Sequence, residues 1–126
     1  MKSQSPIEVF EREFQPIVDK FKYFEFSVEQ AKSSSEDCVW HPGVYVWVSN
    51  CDGVLRVGRS LTNSRKRALE HIRDNTGGVM AEYGADAETR LCLFNVREPI
   101  DYHWVAALEI FLEKSLEPKL KAGRQG

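Results

Sequence analysis

The stretch from Gly43 to His71, GVYVWVSNCDGVLRVGRSLTNSRKRALEH, holds two short strands, a tight turn and a basic helix in succession. The β-branched and aromatic run Val44-Tyr45-Val46-Trp47-Val48 has strand composition, and Asn50-Cys51-Asp52-Gly53 ends it with turn chemistry. The chain should reverse there and return antiparallel through Val54-Leu55-Arg56-Val57, with Gly58 marking a bend or a close backbone approach. From Asn63 the apolar period becomes helical. Asn63 can cap that helix, Ala68, Leu69 and Ile72 form its inward stripe, and Arg67 and His71 stand one turn apart on a shared face.

Upstream, Ile7, Phe10, Phe14, Ile17 and Phe21 recur at intervals of three and four, which predicts an amphipathic helix over Pro6 to Lys22, bent at Pro16. Its apolar stripe has two readings: docking on a second protomer, giving a homodimer through the N-terminal helix, or packing on the chain's own domain. Phe24, Phe26 and Val28 alternate with Glu25 and Ser27 in a short strand pattern. The polar run Ser33 to Asp37 is taken as the boundary between an N-terminal helical extension, residues 1–37, and the main domain, residues 38–126. Pro42 favours an extended lead into the first strand of that domain, with His41 either near the site or in a packing role.

Downstream, Asn75-Thr76-Gly77-Gly78 stops the basic helix, and a loop or brief helix runs through Tyr83. Thr89 to Val96 alternates as a third strand buried on much of both faces. Asp101 is placed to cap a helix from Tyr102 to Leu116, ended by Pro118. The expected fold class is α+β with α/β/α-like layering: a small three-stranded antiparallel sheet, plus whatever the N-terminus adds, flanked by helices.

With 126 residues, 42% of them apolar and 11% aromatic, one domain with a proper core is the expectation. No run approaches the roughly 20 apolar residues that cross a membrane, and the polar start lacks the layout of a secretory signal. These features predict a soluble, intracellular, cytoplasmic protein with no membrane partner. Cys38, Cys51 and Cys92 are odd in number and scattered, which argues against a disulfide framework or a paired zinc site. The net charge of −2 does not advertise a nucleic-acid binder, but residues 54–75 carry a local balance of +4, leaving −6 on the remainder. In Trp104 to Leu112, WVAALEIFL, Glu109 is the one charged residue. A carboxylate in so apolar a segment needs either a buried ion pair or a ligand such as a hard divalent cation.

These residues resemble the GIY-YIG nuclease superfamily. The first half-motif stands as Gly43-Val44-Tyr45 and the second as Arg56-Val57-Gly58, with ten residues between them. The family's basic residue after the second glycine, its helix arginine and the histidine of some members read here as Arg59, Arg67 and His71. Its metal-binding glutamate corresponds to Glu109, with Pro118 beyond it. The resemblance covers about Gly43 to Lys121. Arg56 replaces the second motif's tyrosine, and Lys121 stands where an asparagine is common.

What the resemblance implies is a metal-dependent endonuclease that hydrolyses phosphodiester bonds in DNA. Tyr45 would activate the nucleophile, with His71 orienting it or relaying its proton; Arg67 would clamp the phosphate, and Glu109 would hold Mg²⁺ or Mn²⁺. Arg56, Arg59, Arg65 and Lys66 are the candidate substrate-binding residues, and Gly43 and Gly58 the structural glycines. Two other classes stay open: a weak or inactive member that keeps the fold as a DNA-binding module, and a protein-interaction domain using the amphipathic helix and exposed aromatics.

Overall fold

In the computed structural model, which describes residues 5–73 and 79–120, β1 (Phe21–Ser27), β2 (Gly43–Ser49), β3 (Gly53–Ser60) and β4 (Arg90–Val96) form one antiparallel sheet. Their order is β1-β4-β2-β3. The helices are α1 (Pro6–Glu13), α2 (Val28–Ser33), α3 (Ser64–Arg73), α4 (Val79–Gly84) and α5 (His103–Leu116). Alternation along each strand sends side chains to two apolar layers. Phe24, Phe26, Tyr45, Trp47, Leu91 and Leu93 meet Val28 and Ala31 of α2, Ala68 and Ile72 of α3 and Met80 of α4. On the other face Val44, Val46, Val57, Cys92, Phe94 and Val96 meet Val9 and Phe10 of α1 and Val105, Leu108 and Leu112 of α5. No helix of the described residues is long and apolar enough to cross a membrane.

The sheet has four strands, not the three expected. The additional one, β1, comes from before the polar run 33–37 and pairs with β4 along its full length, from Phe21 opposite Val96 to Ser27 opposite Arg90. The helix expected over Pro6 to Lys22 ends at Glu13 and gives way to a 3-10 segment, Gln15–Lys20. Pro16 has no N–H to donate and disfavours helical geometry at the residue before it. The apolar stripe of α1 packs within the chain: Phe10 lies edge-on to Phe21 and against Phe94, and Phe14 lies against Phe111 of α5. Of the two readings of that stripe, the structure shows packing within the chain: Val9 and Phe10 are buried, and Ile7, Phe14 and Ile17 are half-buried against the same layer.

Val28, expected at the end of a strand, opens α2. Ser27 accepts from the Gln30 amide and the Gln30 side chain accepts from the Ser27 amide, a reciprocal cap that turns the chain out of the sheet. Asp101 does not cap α5, which starts at His103 without a side-chain cap; the aspartate lies in a 3-10 turn, 3.9 Å from Lys20. The stop expected at Asn75–Gly78 lies outside the described residues.

The β2–β3 hairpin positions the site. Gly53 supplies the positive φ, 74°, that the turn requires. Val48 pairs with Val54 and Trp47 with Arg56, so Leu55 is an extra residue on β3 and the ladder carries a bulge there. At its other end α5 stops at Glu117 in left-handed geometry, and the following backbone crosses the outer edge of β3. There the Lys119 and Leu120 amides donate to the Val54 and Leu55 carbonyls at 3.0 and 2.7 Å. The strand edge is thereby covered beside the turn.

Candidate active site

A cleft of about 230 Å³ opens around β3, lined by Tyr45, Arg56, Val57, Gly58, Arg59, Arg67, His71 and Glu109. Its parts come from four elements. Tyr45 lies on β2, directly opposite Gly58 of β3, with its ring over the glycine Cα. A Cβ at Gly58 would collide with that ring, so the close approach read from the sequence is real and tyrosine is what approaches. α3 supplies Arg67 and His71 one turn apart, held against the sheet by buried Ala68 and Ile72. Asn63 fixes the start of α3 by accepting from the Lys66 amide at 3.0 Å. Glu109 arrives from α5 on the opposite layer.

The Tyr45 hydroxyl and His71 Nδ1 are directly hydrogen-bonded, with the rings edge to face at 5.5 Å between centroids. Burial, aided by the Arg56 and Arg67 charges, pushes His71 down from 6.5 to about 4. The imidazole is therefore neutral at ordinary pH, and in the tautomer that carries its proton on Nε2 the tyrosine hydroxyl donates to Nδ1. Burial raises Tyr45 to about 12, against the pull of the same two arginines. Arg56 Nε is buried with no hydrogen-bond partner among the described residues. Arg67 is exposed, its guanidinium 3.5 Å from Glu70, a pair too solvated to hold it firmly.

On the other side of β3, Arg59 Nη1 stands 3.3 Å from Glu109 Oε1. Glu109 is only 4% exposed. Of the two readings of this carboxylate the structure shows the buried ion pair with an arginine, and the same carboxylate lines the cleft. Among the described residues no three histidine, cysteine, aspartate or glutamate side chains gather into a metal cage. Among the described residues that line the cleft the donor set is one carboxylate, Glu109. That fits a cation of the Mg²⁺ type, which keeps several waters and takes further oxygens from a phosphate; it does not fit zinc.

The structure thus gathers Tyr45, Arg56, Arg59, Gly58, Arg67, His71 and Glu109, and places the other candidates elsewhere. Arg65 Nη1 donates to the Ala31 and Ser34 carbonyls at 2.8 and 3.0 Å, closing the end of α2. Lys66 is exposed and does not line the cleft. Gly43 is tight against β4: a Cβ there would stand 2.6 Å from the Phe94 carbonyl oxygen. His41 Nδ1 is bonded to the Val96 carbonyl oxygen at 2.8 Å. Lys121 lies outside the described residues. Sequence reasoning passed over Asn95, which is fully buried on β4. Its Oδ1 accepts from Ser64 at the first turn of α3, and its Nδ2 donates to the Cys38 carbonyl at 2.9 Å. It anchors the helix that carries Arg67 and His71, and an amide within an otherwise apolar strand was the signal available.

In this arrangement a buried hydroxyl is hydrogen-bonded to a neutral imidazole beside Arg56 and Arg67, with Arg59 and Glu109 paired across the strand. It can bind an oxyanion and move a proton toward His71. Comparison with protein-family models, with curated proteins and with solved structures returns no match for this chain.

Proposed function

We propose that this chain is a metal-dependent endonuclease of the GIY-YIG type, hydrolysing phosphodiester bonds in DNA. The observation that carries the reading is the convergence, in one cleft, of Tyr45 and His71 with Arg56, Arg67, Arg59 and Glu109. A phosphodiester is the ligand this set suits: its charge meets three guanidiniums, and in-line attack at phosphorus needs a proton acceptor beside them. Water would pass a proton to the Tyr45 oxygen as Tyr45 passes its own to His71 Nδ1. The oxygen so generated forms the new bond to phosphorus, and the bond to the leaving oxygen breaks. Burial is the larger cause that holds His71 down, and a phosphate next to Arg56 and Arg67 would offset only the smaller part that comes from those two charges. Arg67, with its planar fork, clamps the phosphate. Glu109 would hold Mg²⁺ or Mn²⁺, which supplies charge neutralisation at the developing leaving oxygen.

Incubating the purified chain with supercoiled plasmid and with branched DNA, in Mg²⁺, Mn²⁺ or chelator, tests this. Cation-dependent nicking is expected, falling about 100-fold or more in Arg67→Ala and in Glu109→Gln. A second reading is a DNA-binding module without turnover, favoured by Arg56 in place of a second tyrosine and by a Tyr45 hydroxyl that burial makes reluctant to ionise. Salt-sensitive binding without cleavage of either DNA would replace the first reading with the second.

A further inference from the structure

Glu109 is engaged by a guanidinium before any cation reaches it. Arg59 extends from the edge strand and Glu109 from α5, so the backbone on both sides of the pair is regular structure and only side chains can move. The two partners are unequally buried: the Glu109 side chain is 6% exposed and that of Arg59 36%. The arginine therefore has the freedom to leave and the carboxylate does not. A divalent cation on Glu109 Oε1 would lie within a few ångströms of the Arg59 charge, and like charges that close in a partly buried cleft repel strongly. Arg59 and the cation are thus competitors for one oxygen. An entering phosphate shifts that competition, because it offers Arg59 a paired acceptor geometry within the cleft the arginine already lines.

We propose, resting on the phosphodiesterase reading of the cleft, that Arg59 is an exchangeable counter-ion. It holds Glu109 in the free chain and passes to the entering phosphate, which opens the carboxylate to the cation. Cation and DNA then bind with positive coupling, and linkage requires that each strengthen the other by the same factor. Arg59 is a positioning residue in this scheme, setting the order in which the site assembles.

The test is Mn²⁺ binding followed by electron paramagnetic resonance, in a Tyr45→Phe chain to suppress cleavage, with and without a short branched DNA. The same titration in a Glu109→Gln derivative subtracts Mn²⁺ held elsewhere on protein or DNA. DNA is expected to tighten the Glu109-dependent Mn²⁺ site about tenfold or more, within the usual range of such couplings. Adding Arg59→Gln should tighten Mn²⁺ without DNA and cut the coupling below about twofold. Equal Mn²⁺ affinity with and without DNA overturns the exchange, and that comparison needs no Arg59 variant, which guards against one that folds poorly. If Glu109→Gln removes the Mn²⁺ site but no coupling exists, the exchange alone fails. If Glu109→Gln leaves Mn²⁺ binding intact, or DNA is not bound at all, the nuclease reading fails with it.

Discussion

Tyr45 and His71 show how far a residue's chemistry is set by its surroundings. Each was singled out in the sequence by the resemblance of its motif, but their direct hydrogen bond, and the neutral imidazole that burial and two arginines maintain, rest on contacts that no local pattern shows. The histidine carries a consequence for stability. Its folded value is about 4 against 6.5 for the ordinary side chain, so between those pH values the unfolded chain takes up a proton that the folded chain refuses. The stabilisation from neutral His71 is complete above about pH 6.5 and is lost as pH falls toward about 4. Urea midpoints should therefore drop over that window, and the drop should be shallower in His71→Asn, which keeps an acceptor for Tyr45. Parallel curves for the two chains would show that His71 is charged in the native state.

Among the elements, the run Arg65-Lys66-Arg67 reads in the sequence as one basic patch, yet a helix advances each neighbour by about 100°. Arg67 faces the cleft, Lys66 faces solvent, and Arg65 reaches the carbonyls that end α2. Those carbonyls need it: a helix of six residues is far below the length at which helices are stable alone. Arg65→Ala is expected to cost about 1–2 kcal/mol in urea unfolding through two lost charged hydrogen bonds, while DNA affinity stays unchanged. A matched loss of DNA affinity would return Arg65 to the binding surface. The N-terminal periodicity misled for a related reason. Ile17 and Phe21 continue the apolar spacing of α1 because they pack in the same layer, but they do so from a 3-10 segment and a strand. Apolar spacing reports burial, and several backbones can satisfy it.

At the scale of the whole molecule, the two apolar layers were legible from strand composition and helix stripes, whereas strand order was not. β1 sits beside β4, and β3 at the far edge, through pairings between distant residues that leave no mark on local pattern. That order puts the cleft at the opposite side of the sheet from β1. It also concentrates three arginines on a chain of net charge −2. With so few cations at the site, log K for DNA against log salt should have a slope of only about −3, from roughly −0.9 per phosphate neutralised. A slope near −6 or steeper in fluorescence anisotropy would mean that DNA lies across more of the surface than the cleft. One extra residue decides which layer receives which arginine. Without the bulge at Leu55, pairing from the turn would run on unbroken, setting Val57 in place of Gly58 opposite Tyr45. Arg56 would then face α5 and Arg59 would face α3, so the odd or even count of residues in this hairpin works as a parity setting that keeps the tyrosine and the carboxylate each beside its own arginine.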